Sequence, residues 1–294
     1  MQTTAVGVPA VYPEARPRAR FSLLVRGKSM LNFLYSTWRA GLRSRSIQAV
    51  LVMGVLLMGV AYLAAQFTFR QAQTVAMDVG FSGLRISLIL FALFWVQELF
   101  GREIERRSVM FALTYPVPRS HYVLGRYLGI VVLLGLAALL LGLLLWLVVL
   151  LTRGLFEQLF PIQLGAAYWL TVCGFWIDAA VVAAFAFWFS SLSTVPMLPL
   201  ALGLMFAVGG KSLGTVIEYA QTGVGGQAMQ ALKPLIDAIQ WVLPDLSRLD
   251  WRVSPMYDLP MNTGTMAWGV VMAAAYAGLM VALAVWAFQR RQFH

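Results

Sequence analysis

Cysteine, histidine and charge are all scarce in this chain, and each scarcity removes a class of function. A single cysteine, Cys173, stands inside an apolar run, so one chain can build neither a disulfide framework nor a thiolate metal site. His121 and His294 are the only histidines, and neither has a carboxylate or thiol at metal-ligand spacing. No nucleophile elbow and no H-E-x-x-H pair is present. The nearest approach to a phosphate loop is Gly209-Gly210-Lys211-Ser212, but the glycine required five residues before Gly210 is replaced by Met205, and the stretch lies in an apolar run with no strand before it. Charged residues make up only 12% of the 294 and hydrophobic ones 60%, with a mean hydropathy of +0.76. That leaves too little polar surface to coat a soluble globule of this size. The composition describes an all-α integral membrane protein.

Six apolar runs, about 47–68, 82–98, 127–151, 164–189, 195–217 and 266–288, are candidates for the spans. A crossing helix needs about 20 residues. Five runs satisfy this easily; the second is short and is expected to borrow a turn from Val79 to Phe81. Trp169 and Trp188 flank the fourth run, and Trp268 and Trp286 the sixth. At 1.5 Å per residue these separations correspond to about 27 to 29 Å, close to the distance between the two interfaces where tryptophan collects.

The net charge of +10 is mainly a topology signal. Arg16, Arg18, Arg20, Arg26, Lys28, Arg39, Arg43 and Arg45 precede the first run, and Arg102, Arg106, Arg107, Arg119 and Arg126 fall between the second and third. The positive-inside rule then puts both termini and the stretch between runs two and three in the cytoplasm. Nucleic acid is excluded as a partner, because the basic residues are dispersed around spans with no aromatic-interleaved surface; the partner they imply is the lipid bilayer. The Pro- and Arg-rich start lacks the short apolar core and cleavage site of a secretory signal, and residues 1–27 are expected to form a loosely ordered cytosolic N-terminus. Over 28–45, Leu31, Leu34, Trp38 and Leu42 recur at steps of three and four, with Lys28, Arg39, Arg43 and Arg45 at polar positions. This predicts an amphipathic helix, either on the inner membrane surface or packed on a cytosolic partner. Residues 46–294 then form a single transmembrane domain.

Glu98 to Arg126 is the one strongly charged island between two membrane-length runs. Glu98 stands four residues before Arg102, and Glu103 four before Arg107, the order that favours ion pairs on a helix surface; Pro116 and Pro118 stop that helix. An acidic and arginine-rich helix, a Pro-x-Pro-Arg break and Gly125-Arg126-Tyr127-Leu128-Gly129 together resemble the first cytoplasmic loop of the ABC-2 family of ABC transporter permeases. The sequence departs from that pattern at Arg107 and Ser108, where the family commonly has Gly-Thr. The resemblance implies a permease subunit, of exporter type, lodged in the inner membrane. It also implies a second permease subunit, identical or related, and separate ATPase subunits that carry ATP and Mg, while this chain binds no cofactor and is not itself an enzyme. Glu98, Arg102, Glu103, Arg106, Arg107, Pro116 and Arg119 would form the contact with the ATPase, through a coupling helix over about 98–114. An ABC-2-like subunit that transmits force or signal to an envelope or metalloenzyme-maturation process is the alternative.

Between runs five and six, about 218–264, the sequence predicts an external helical segment over 227–243, interfacial or shallowly re-entrant, or else an ordinary structured loop. Two ionisable residues inside runs need partners, since a charge at mid-bilayer costs about 2.5 kcal/mol or more. Asp178 is expected to face other helices, by interhelical hydrogen bonding or as part of a substrate path. Lys211 is expected to snorkel outward or to share that path. Glycines 125, 129, 135 and 142 predict close helix packing.

Overall fold

The computed structural model describes residues 35–41, 45–68, 71–101, 119–152, 162–193, 195, 197–221 and 243–290. Among them there is no strand. A helical turn over 35–41 is followed by α1 (Arg45–Gln66), α2 (Ala72–Val96, closed by a π-turn over Gln97–Gly101), α3 (Arg119–Leu151), α4 (Ala166–Leu192), α5 (Leu198–Gln221), a 3₁₀ turn at Leu246–Leu249, the short α6 (Val253–Tyr257) and α7 (Thr263–Arg290). The helices from α2 to α5 and α7 are long and apolar enough to cross a membrane. In α1 the apolar stretch available for that test is the shorter 51–66.

The second span corrects the sequence reading most. It runs over 72–101 rather than 82–98, because its first turns carry Gln73, Thr74 and Asp78, which lower the local hydropathy while Ala72, Ala76, Met77 and Phe81 are buried among neighbouring helices. Protein rather than lipid solvates those turns, so they need not be apolar throughout. The third span likewise starts earlier, at Arg119.

Helices α2 and α4 form the centre, each packed against α3 and α5, with α1 laid on α2 and α7 on α4. At one end Phe100 stacks on Phe187 at 3.9 Å and neighbours Tyr122 and Phe288, tying the π-turn of α2 to α3, α4 and α7. Further along, Phe185 stacks on Phe206 at 4.1 Å and Phe206 on Tyr276 at 5.6 Å, joining α4, α5 and α7. Glycines expected to admit close packing do so within this one chain: a Cβ on Gly135 or Gly142 would crowd Trp176 or Val172 of α4. Trp268 and Trp286 stand exposed near the two ends of α7, with the Arg290 guanidinium 4.1 Å over the Trp286 ring.

The segment after Pro244 does not lie on the surface as an ordinary loop. Leu246 and Leu249 are fully buried, and the chain there rests on glycines from three helices. A Cβ on Gly174 of α4 would come within 2.4 Å of the Leu249 carbonyl oxygen, one on Gly210 of α5 within 2.7 Å of Leu246, and one on Gly269 of α7 within 3.2 Å of the Arg248 carbonyl oxygen. The Asp245 carboxylate caps the 3₁₀ turn by accepting from the Ser247 backbone N–H and hydroxyl. The helix predicted over 227–243 lies outside the described residues, apart from Leu243. Gly174→Ala should therefore displace the 245–252 segment, since the obstructing atom is backbone and cannot rotate away. The expected loss is about 1–3 kcal/mol, read as a lowered thermal midpoint of the purified protein, whereas Gly278→Ala, with open space around it, should leave the midpoint unchanged.

Candidate functional site

Where the 245–252 segment enters the bundle, it meets a set of charged side chains contributed by three helices. Arg85 on α2 donates from Nε to Asp178 Oδ2 on α4 at 2.6 Å, with both side chains buried. Lys211 on α5 pairs with Asp250 Oδ2. Asp250 Oδ1 accepts from Arg252 Nε at 2.8 Å. Arg252 in turn donates from Nη1 to Ser82 at 2.9 Å and to Asp78 at 3.2 Å, both on α2, and lies over the Phe175 ring. The two pairs are near enough for their fields to act on one another.

Three cations thus face three carboxylates, and the set is formally neutral. This is the arrangement that low-dielectric surroundings require, because an isolated ion there costs several kcal/mol while a pair recovers much of that cost. Arg85 was the partner the sequence reading missed: as one arginine in an apolar run it gave no sign of its distance to Asp178, 93 positions away. Asp178 makes the interhelical bond that was one of its two expected roles. Lys211, about one-third exposed, pairs with the carboxylate that the folded-in segment supplies. Asp250 and Arg252 read as ordinary loop charges in sequence and are drawn in by the glycine seat.

Burial pushes the Asp250 carboxyl up, but hydrogen bonds from Arg252 and Lys211 and their fields together outweigh it and hold the group below the usual carboxylate range. Arg252 is moved the other way: burial lowers it, and the Asp250 and Asp78 carboxylates more than compensate.

At the opposite end, the 35–41 turn packs on α3. Arg126 donates from Nη1 to Thr37 at 2.9 Å, and a Cβ on Gly129 would sit 2.7 Å from the Thr37 side chain. Tyr127 donates to the Ala180 carbonyl on α4 at 3.1 Å. The Gly-Arg-Tyr-Leu-Gly stretch is therefore a packing element that fastens the 35–41 turn and α4 to α3. Trp38 is half-buried against the core and Arg39 is exposed. Glu98 lies half-buried in the π-turn that closes α2, and Arg119 opens α3. Lys28, Arg43, Arg102, Glu103, Arg106, Arg107 and Pro116 lie outside the described residues. Among the described residues, no cluster of His, Cys, Asp or Glu has the form of a metal site.

Five long apolar helices, with the buried Arg85–Asp178 pair between two of them, define a multi-pass α-helical membrane protein. Residues 60–226 match the family described as ABC-2 family transporter protein, more than half of the 294-residue chain, and the chain belongs to that family. It is accordingly a permease subunit of an ABC transporter, a class that works with ABC ATPase subunits. Comparison with curated proteins gives no match.

Removing either member of the central pair leaves a buried charge behind. Arg85→Gln and Asp178→Asn are each expected to cost about 3–5 kcal/mol, whereas the double variant Arg85→Met with Asp178→Leu should be much less harmful than either alone; thermal unfolding of the four proteins in one detergent checks this. For Asp250 the lowered folded value means that its contribution is complete above the unfolded carboxylate value of about 3.9 and is lost as pH falls through the folded one. The thermal midpoint should therefore be insensitive to this group from about pH 5 to 8 and fall below about pH 4, and Asp250→Asn should lose part of that acid-side fall.

Proposed function

We propose that the chain is a six-span permease subunit, with α1 as the sixth crossing and both termini in the cytoplasm, that exports a substrate from the inner membrane using ATP hydrolysed by separate ATPase subunits. ATP and Mg belong to those subunits. A second permease subunit, identical or related, completes the transmembrane part. The observation that carries this reading is the continuity of α2. An α-helix of 25 residues, about 37 Å long at 1.5 Å per residue, bears Asp78, Ser82 and Arg85 of the ion network, and the π-turn that continues it carries Glu98, where the charged island begins. A partner gripping the island would act on the network through a single rigid element.

In this mechanism the ATPase receives the island through Glu98, Arg102, Glu103, Arg106 and Arg107, and the turn bearing Trp38 and Arg39 braces α3 at the membrane surface. Closure of the ATPase dimer tilts α2 and α3 together. Tilting α2 shifts Arg85 relative to Asp178 and Ser82 relative to Arg252, so the docked 245–252 segment is released or held according to the position of the island. A ligand or nucleotide can move such an equilibrium only by binding its two states differently, so the reading requires a second arrangement of these pairings for the partner to favour.

The test is reconstitution with the ATPase encoded nearest to this chain. The wild-type permease should co-purify with it and raise its ATP turnover, and Arg106→Glu with Arg107→Glu should abolish that stimulation while leaving the permease folded. Full stimulation by the charge-reversed protein would overturn the assignment of the island as the contact.

A further inference from the structure

Between α5 and α7 lies a groove of 570 Å³, within the range of about 300–1,000 Å³ usual for small-molecule sites. The two helices touch through the Phe206–Tyr276 stack. On α7 the wall is a stripe at steps of four, three and four, Trp268, Met272, Ala275 and Leu279, and on α5 it is Leu213 and Ile217. Trp268 and Leu279 are each more than half exposed, so the α7 side opens outward. From Trp268 to Leu279 the helix rises about 16 Å at 1.5 Å per residue, and half of the hydrocarbon core is about 15 Å. The apolar stripe is therefore one leaflet deep.

Charge is confined to one end of the groove. Of the described lining residues only Asp245 and Arg248 are charged, and they stand at the Trp268 end, where the Arg248 carbonyl oxygen lies against Gly269. The Arg248 side chain is half exposed and gives its Nε to Asp245 Oδ2; among the described residues its two Nη groups have no hydrogen-bond partner. They point out from the far edge of the guanidinium fork, so a second acceptor can be bound without breaking the pair with Asp245.

We infer that this groove holds one zwitterionic phospholipid from the leaflet at the Trp268 end, its phosphate on the Arg248 Nη groups, its ammonium beside Asp245 and one acyl chain along Met272, Ala275 and Leu279. Each part of the lipid answers a feature of the groove. An apolar stripe that opens among membrane-crossing helices and ends at mid-bilayer depth takes hydrocarbon of a single leaflet. The planar guanidinium takes a phosphate with two parallel hydrogen bonds. The carboxylate beside it favours a head that also carries a cation, because a purely anionic head would meet Asp245 as well as Arg248. Trp268 stands at the level where tryptophan meets headgroups. On the orientation proposed above the leaflet is the outer one; the binding does not rest on that reading.

The experiment uses the full-length protein, with no ATPase present, in nanodiscs whose bulk lipid is phosphatidylglycerol. A minor share of phosphatidylethanolamine with a diazirine on one acyl chain is the probe, and phosphatidylglycerol with the same diazirine chain is used in parallel. Labelling of the exposed face of α1 over 51–63 measures ordinary lipid contact. Relative to that reference, the phosphatidylethanolamine probe should label 213–217 and 268–279 at least fivefold more than the phosphatidylglycerol probe does. Arg248→Gln, which removes the phosphate contact, and Ala275→Trp, which fills the groove, should each abolish the excess. Both positions are exposed, so the thermal midpoint should stay unchanged. Equal labelling by the two probes, labelling spread evenly over α1 and α7, or an excess that ignores Arg248→Gln would overturn the proposal. So would protection of 268–279 from both probes, the result if residues 222–242 or a second copy of the chain filled the groove. No nucleotide or ATPase enters this assay, so its failure leaves the ATPase-coupling reading standing, and failure of that reading leaves the lipid result intact.

Discussion

The constraint on which the rest of this structure depends is that a charge placed among membrane-crossing helices must find its opposite within hydrogen-bonding distance. Arg85 and Asp178 satisfy it across α2 and α4. Lys211 satisfies it with Asp250, a residue of the chain after Pro244, which ties that chain inward. Arg252 follows and returns to α2 through Ser82 and Asp78. A polypeptide segment that would otherwise lie over the bundle is thus bound into it by electrostatics, and the cost of burying each charge is met by the same contacts that fix the position of the segment.

Packing had to permit what charge required. The inward segment brings its own backbone against α4, α5 and α7, and each helix meets it with a glycine, at 174, 210 and 269. At the other end of the bundle the same device recurs on a smaller scale, where Gly129 admits Thr37 and Arg126 secures it. The two ends differ in what lies between the fixed points. One is joined by an aromatic cluster around Phe100, Phe187, Tyr122 and Phe288, which has no charge to rearrange. The other is held by ion pairs.

Much of the architecture was legible in the sequence because hydropathy reports directly on contact with lipid. The runs that became α3, α4, α5 and α7 were placed within a few residues at most of their ends, α3 excepted at its start. The start of α2 was not legible, because Gln73 and Thr74 are buried among protein, and a hydropathy scale has no means of distinguishing that from water. The resemblance carried by Gly125 to Gly129 pointed to the family correctly, while the work those residues do in packing Thr37 and Ala180 needed coordinates. Asp178, Lys211 and Arg85 were recognisable as charges inside apolar runs, but the pairing of Arg85 with Asp178 was not, and the pairings of Asp250 and Arg252 depend on a fold in the chain that leaves no periodic trace; the glycines at 174, 210 and 269 are the nearest signal of it.

The π-turn at Gln97–Gly101 has a geometric consequence for whatever follows it. Its i→i+5 hydrogen bonding takes in one residue more than the i→i+4 bonding of an α-helix, so the stripe of side chains that keeps α2 inside the bundle loses its phase at this point, by close to the angle between successive residues. Within the π-turn Leu99, Phe100 and Gly101 are still buried. The turn that changes the phase is thus the one that places Phe100 in the aromatic cluster and carries the half-buried Glu98.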